Sequence, residues 1–500
     1  MIFNTLAFAK FFAVVFVVSW ALTRFPRARF GFLSVMSYVF YAGLDVFGAA
    51  FWSAIPELGL YGALRANAPH LLFVPIVFIG STVDYYLGIL IDAASEERRR
   101  KRLLYVTIAM NTGLLLVFKY WDFMAEQLLW LGGATGANLP DIRLHLPLPI
   151  GISFFTFMSL SYVVDVYRRE IPASRNYVHY VTYIAFFPHL VAGPIIRGKD
   201  LLPLFAKPVA LNATVAGEAM FLVSVGLFKK VVISDYLAIN LVDRVVAEPT
   251  SFSSLEVAFG MFGYAIQIYC DFSGYSDVAI GIALLLGYRL KINFDQPFKS
   301  TNLVEFWRRW HISLSTWLRD YVYIPLGGSR HGKGRKYLNV WITMVVCGIW
   351  HGAAWSYVIF GVIQGLAVAG THAWFDARGK RPTDSGTSGV GPRQLAAVLA
   401  CFVFTTLTFV LIRAPIDKAW LLYQQLFQLS TFTPNLTRGI VAVIAGALVL
   451  QWLPKRWFEV VRDAFVRAPA PAQAVALFLL ALVLREAASS EAVPFVYGQF

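Results

Sequence analysis

Few side chains in this sequence are placed to do acid-base chemistry, and two that stand out are histidines in apolar company. His351 lies in CGIWHGAAW, residues 347–355. Counted from Lys336, the last residue of the basic loop before it, His351 is fifteen residues on. At about 1.5 Å per helical residue that is roughly 22 Å, the depth of a bilayer interior. An ionisable side chain at such depth is a functional candidate by default. Gly348, Gly352, Ala353 and Ala354 leave almost no bulk around it, so a neighbouring helix or a thin substrate can come close. Burial disfavours the charged form, so the imidazole is expected to be neutral and able to take a proton from an attacking alcohol. A core histidine hydrogen-bonded to a neighbouring helix fits the same residues.

The second histidine, His311, lies in WRRWHISLSTWLRDYVYIPLGG, residues 307–328. At 3.6 residues per turn, Trp307, Trp310, Leu314, Trp317 and Tyr321 share one face, and Arg308, His311, Ser315 and Arg319 line an adjacent one. The spacing predicts an amphipathic helix rather than a lipid-exposed span. From periodicity alone, an interfacial helix with snorkelling arginines is the simpler reading.

Two further stretches carry polar groups beside apolar runs. In YCDFSGYSDVAIGIALLLGY, residues 269–288, Asp271 and Asp277 could bind a cation, but Gly, Ser and Asp together favour a helix-capping break. FPHLVAGPIIRGKD, residues 187–200, reads as a broken helix or re-entrant turn through Pro188, Gly193 and Pro194, with His189 structural. No phosphate-cradling loop, dinucleotide fingerprint, nucleophile elbow or zinc-type spacing is present in the sequence.

The elements that must hold these residues are set by composition. Of 500 residues, 58% are hydrophobic and 14% charged, against roughly 45–50% and about 25% in soluble domains. Apolar runs of membrane-spanning length recur along the whole chain, so a single polytopic membrane domain over residues 1–500 is expected. The formal net charge is +14, but Lys and Arg sit in short clusters between apolar runs, as at cytoplasmic loops, and nucleic acid is not the expected partner. Cys270, Cys347 and Cys401 each lie in or beside an apolar run and read as small buried hydrophobes. The first run, 5–22, has its positive charges after it and no small-residue cleavage site, so it is expected to be a retained helix.

Each true span flips the side of the chain. Spans at 5–22, 30–48, 70–92, 103–120 and 148–166 place three basic clusters on one side and the N-terminus outside. Spans at 395–412, 438–453 and 472–485 keep the same parity, and residues 378–393, rich in Gly, Ser, Thr and Pro, read as a cytoplasmic loop. Loops 330–336 and 378–381 are both basic; with both on the cytoplasmic side, residues 338–375 must go in and come back, as a helical hairpin or a split pair of helices with His351 at the deep end. Between 175 and 375, short, broken or tilted helices lining a cavity are expected, because irregular backbone at membrane depth is tolerated only where protein or water covers it.

WRRWHISLSTWLRDYVYIPLGG and GIWHGAAW, with His311 and His351 forty residues apart, together closely resemble the signature of the membrane-bound O-acyltransferase (MBOAT) family. The likeness is nearest to the bacterial polysaccharide O-acetyltransferases typified by the alginate O-acetylation membrane subunit. It extends to PIGISFFTFMSLSYVVDVYRRE (149–170), VAGPIIRGKD (191–200) and DFSGYSDVAIGIALLLGY (271–288). The resemblance implies an all-α integral membrane fold of roughly eleven to thirteen helices, some re-entrant, around a central tunnel. The catalytic core would be 145–375, flanked by N-terminal helices (1–140), a cytoplasmic loop (376–394) and C-terminal helices (395–500). It makes His351 the catalytic residue and His311 the second functional position. Trp307, Arg308, Ser315, Trp317, Arg319, Asp320 and Trp350 become the candidate substrate-binding residues.

By the same likeness the donor is acetyl-CoA or a similar thioester, no cofactor is tightly bound, and no metal is held. The protein would sit in the bacterial inner membrane and work with a periplasmic polysaccharide acetyltransferase toward a polysaccharide such as alginate. D-alanyl transfer to a cell-wall polymer, within the same family, and a non-enzymatic transporter are the alternatives. Two histidines without a third or fourth partner make a poor metal site.

Overall fold

The computed structural model describes residues 3–137, 139–191, 193–382, 391–488 and 495. Residues 383–390, the middle of the expected loop at 378–393, lie outside the described residues. Every regular element among the described residues is helical. The chain divides into two units, one of Met1–Ala219 with Ala279–Lys291 and one of Met220–Val278 with Ile292–Phe500.

The first unit holds α1 (Leu6–Ala21), α2 (Pro26–Ala42), α3 (Ala49–Asn67), α4 (Val74–Ala93), α5 (Glu97–Leu115), α6 (Trp121–Thr135), α7 (Ile152–Tyr167), α8 (Tyr177–Ala185), α9 (Phe187–Leu190) and α10 (Gly198–Phe205), and α11 (Ala213–Leu227) begins in it. Their ends follow local chemistry. Thr5 and Asn176 cap α1 and α8 by accepting from the backbone N–H of Phe8 and His179. Gly43, at φ 76°, closes α2 in the left-handed region that glycine enters without strain. A π-helical turn at Leu116–Tyr120 joins α5 to α6 in one 39-residue run, longer than the span expected at 103–120. As expected, 187–200 is a broken helix, with α9 only four residues long and buried His189 within it. Arg29, buried at the start of α2, donates to Ser19 at the end of α1, to the Tyr288 hydroxyl and to the Leu286 carbonyl. One guanidinium thereby closes carbonyl and hydroxyl acceptors that helix ends would otherwise leave open.

The second unit holds α12 (Asp243–Ala247), most of α13 (Ser254–Leu285), α14 (Leu303–Arg309), α15 (Ile312–Leu318), α16 (Gly332–His351), α17 (Trp355–Ala377), α18 (Pro392–Arg413), α19 (Ile416–Leu426), α20 (Arg438–Trp452), α21 (Lys455–Arg467) and α22 (Ala470–Ala487). The expected late spans correspond to α18, α20 and α22. Among the described residues, six helices are long and apolar enough to cross a membrane, and α20 with α21, bent by 93°, makes a seventh if counted as one span. The chain is a multi-pass membrane protein. Among the six, α13 differs in being 94% buried over its apolar window, whereas α22 is 0% buried. A helix covered on all sides serves as an internal post, and α13 carries residues that touch the site described next.

Candidate active site

His351 is the last residue of α16, so the fifteen residues that separate it from Lys336 are helical, as the depth argument requires. Gly352–Ala354 turn the chain into α17, and Lys336 near the start of α16 pairs with Asp376 near the end of α17 at 2.6 Å. Of the two expected arrangements the hairpin is the one present, with His351 at its closed end. Glycine makes it tight. A Cβ on Gly361 would stand 2.8 Å from the Met344 carbonyl oxygen, closer than a real Cβ comes, and a tight 3.1 Å from Gly348 Cα. The two backbones meet at Gly348 and Gly361, the close approach expected from small residues around His351.

The segment around His311 departs from expectation. No continuous helix runs through 307–328. Helix α14 ends at Arg309, Trp310 is extended, and His311 itself sits at φ 42°, ψ 57°, in the left-handed region. That conformation is costly for any residue with a Cβ and persists where surrounding contacts over-determine it. Here the clamp is Asn293. Its main-chain carbonyl accepts from Ile312 N–H at 2.9 Å, and its side-chain Oδ1 accepts from Ser313 N–H at 3.1 Å and from Ser313 Oγ at 2.9 Å. The break rotates His311 off the face it would share with Arg308, Ser315 and Arg319. The imidazole is fully buried, while Arg308 and Arg319 are exposed.

The structure brings His311, His351 and Trp350 together. The Trp350 ring lies 5.9 Å from the His311 ring and 5.0 Å from that of His351. Phe272 of α13 meets His311 edge-on at 4.6 Å, and Phe360 of α17 stands 6.1 Å from His351. The His351 Nε2 is 3.8 Å from Cys347 Sγ, one turn earlier on α16; the buried cysteine read as a small hydrophobe also flanks the candidate base. His311 lies outside the six spans, and burial first, then the neighbouring His351, holds its imidazole well below the ordinary histidine value. A neutral imidazole accepts protons, which makes His311, with the buried His351 beside it, a candidate site for acid-base chemistry.

The other candidates fall at different distances from this pair. Trp307 is buried against Phe360, with ring centroids 6.4 Å apart, and its Nε1 donates to Gln364 Oε1 at 3.1 Å. Gln364 in turn donates to Thr408 at 2.7 Å. Ser315 donates back to the Trp310 carbonyl at 3.3 Å, as a helix-start hydroxyl does. Trp317 packs on Tyr321 at 5.0 Å. Arg319 pairs with the adjacent Asp320 at 2.7 Å in a π-helical turn, Arg319–Tyr323. Periodicity gave no sign of Asn293, Phe272 or Gln364; the one hint was a polar amide between apolar Ile292 and Phe294.

Asp271 and Asp277 neither cap nor break a helix, because α13 runs through both. Each pairs with lysine from the π-helical turn Phe228–Asp235. Lys229 reaches Asp277 at 2.7 Å, and Lys230 reaches Asp271 at 2.6 Å and Asp235 at 2.8 Å. Glycine sets the crossing, since a Cβ on Gly274 would lie 2.7 Å from the Gly226 carbonyl. No group of three metal-ligating side chains converges among the described residues.

Residues 95–412 match the profile of MBOAT, the membrane-bound O-acyltransferase family. The chain is 35% identical over 466 residues to the probable alginate O-acetylase AlgI of Pseudomonas aeruginosa, covering 92% of this chain and 81% of that one. It is 33% identical over 378 residues to the peptidoglycan O-acetyltransferase of Helicobacter pylori, covering 70% and 69%. Against the teichoic acid D-alanyltransferase of Streptococcus thermophilus the figure is 28% over 291 residues, covering 54% and 69%. The matched region contains α5 to α17, both histidines and the residues that hold them, and nearly all of α18. From its hairpin histidine to its all-helical membrane architecture, this chain belongs to the membrane-bound O-acyltransferase family and is an acyltransferase.

Proposed function

We propose that this protein moves an acetyl group from a cytoplasmic thioester, acetyl-CoA or an equivalent, toward O-acetylation of an extracytoplasmic polysaccharide, from the bacterial inner membrane. The observation that carries the reading is the buried pair His311 and His351, set around one tryptophan at the closed end of a hairpin. Proteins that this chain resembles over most of its length are described as acting on alginate or on peptidoglycan. The D-alanyl relative matches less of the chain at lower identity, which favours acetyl as the acyl group.

In the proposed reaction His351 takes the proton of an acceptor hydroxyl as its oxygen attacks the thioester carbonyl. The carbon–oxygen bond forms, the carbon–sulfur bond breaks, and the leaving thiolate takes the proton back from the imidazolium. An O-acyl ester and a free thiol result, with no net proton change. Exposed Arg308, Lys333 and Arg335 offer positive charge to the phosphates of a coenzyme donor. The acceptor hydroxyl belongs either to the polymer or to a periplasmic acetyltransferase that passes the acetyl group on.

The test is transfer of labelled acetyl in proteoliposomes with the donor supplied on one face only. The proposal expects label in an acceptor on the opposite face, dependent on the protein. Thioester that stays intact, or label recovered only on the donor's side, overturns it.

A further inference from the structure

The atoms around His311 define which nitrogen of its ring carries the proton. Asn293 Oδ1 lies 3.2 Å from His311 Nδ1. The same oxygen receives the backbone N–H of Ser313, a group that only donates. The side-chain amide is therefore oriented with oxygen toward the histidine, and its Nδ2 points the other way, donating to Ser276 Oγ on α13 at 3.3 Å. Ser276 and Asn293 are both buried. The other neighbour of Nδ1, Ser313 Oγ at 3.4 Å, gives its one proton to Asn293 Oδ1 at the shorter distance of 2.9 Å; an amide oxygen cannot donate, so His311 Nδ1 does, and in a neutral imidazole that leaves Nε2 with a lone pair.

We propose that Asn293 is the positioning residue of the site: it locks His311 in the Nδ1–H tautomer and presents Nε2 as a hydrogen-bond acceptor. The inference rests on the acyltransferase reading of the histidine pair and adds a role to it. A neutral His311 cannot donate from Nε2 to a thioester carbonyl, so it does not polarise that carbonyl. It accepts a hydrogen bond from an O–H or S–H of the reacting partners. The same asparagine holds the left-handed backbone of His311 through Ile312 and Ser313, so tautomer and ring direction are set together. Phe272, Phe294, Trp350 and His351 face the ring, and among them only His351 titrates.

The experiment compares the full-length protein with Asn293→Asp, Asn293→Leu and His311→Ala in proteoliposomes, following acetyl transfer from acetyl-CoA across a pH series. A carboxylate at 293 still accepts from Nδ1–H and so preserves the tautomer, but it favours the imidazolium. N293D is expected to stay within about tenfold of wild-type kcat, with the acid limb of kcat/KM moved up by about 1–3 pH units. The sign follows because a base of raised pKa is lost to protonation at higher pH. N293L loses the acceptor, and its kcat is expected to fall about 10²- to 10⁴-fold with KM for acetyl-CoA within threefold. An N293D acid limb at the wild-type position, with H311A inactive, overturns the positioning role alone; that readout stands even if N293L fails to fold. Wild-type transfer by H311A overturns the reading beneath it instead.

Discussion

Replacing Lys230 by methionine tests the buried charge cluster that anchors α13. Lys230, Asp235 and Asp271 are 3%, 7% and 0% exposed, and the ammonium stands 2.8 Å and 2.6 Å from the two carboxylates. At an effective dielectric of about 20, each pair attracts by about 6 kcal/mol. Desolvation of several kcal/mol per ion offsets much of this, so the intact cluster contributes little net stability. Removing the lysine is different, because it strips counter-charge from two acids that remain buried. Breaking a buried pair in that way costs about 3–5 kcal/mol, or roughly 3–5 °C in apparent melting temperature at the unfolding entropy of a chain of 500 residues.

Tryptophan-fluorescence melting of the detergent-solubilised protein, at one scan rate, measures the loss. The triple variant Lys230→Met, Asp235→Asn, Asp271→Asn removes every charge and is expected to recover at least half of it. A K230M melting point within about 2 °C of wild type, against a predicted loss of several kcal/mol, would refute the reasoning. So would a triple variant no more stable than K230M.

Three further outcomes follow from the geometry. Gln364→Leu leaves Trp307 Nε1 without its acceptor in a buried site, and should lower stability by about 1–3 kcal/mol in the same melting assay; Gln364→Glu, which keeps an acceptor, should lose less. Gly361→Val forces a side chain into the Met344 carbonyl and should abolish recovery of folded protein by size exclusion, whereas Gly370→Ala on the same helix, with open space at its Cβ, should be recovered like wild type. Neutralising Arg308, Lys333 and Arg335 to Gln should raise KM for acetyl-CoA and flatten its salt dependence, read from initial rates at several ionic strengths, with kcat unchanged.

Several elements were legible in the residues alone. Apolar runs bounded by Arg or Lys located α18, α20 and α22, and parity between two basic loops narrowed residues 338–375 to a hairpin or a split pair, of which the α16–α17 hairpin is the one present. His351 stood out because an imidazole so far along an apolar helix has few structural excuses. The break at His311 was hidden because its cause is Asn293, eighteen residues earlier in the chain, and helical periodicity registers only neighbours three or four apart. Asp271 and Asp277 were misread for a similar reason. Their lysine partners lie more than forty positions away, 48 in the case of Lys229 and Asp277, and without them two acids resemble a cap. Helix α3 went unnoticed because Pro56, Glu57, Gly59 and Arg65 interrupt its apolar run.

Acetyl transfer by His351→Ala and His351→Gln, measured beside wild type with acetyl-CoA and an acceptor present, bears most directly on the chemistry. Both variants should melt close to the wild-type temperature, because α16 ends at this residue and its backbone does not depend on the ring. Both should lose at least about 10²-fold in kcat, the smaller end of what a positioned base contributes. Turnover within tenfold of wild type by a folded H351A would contradict the assignment of the proton-taking step to this imidazole.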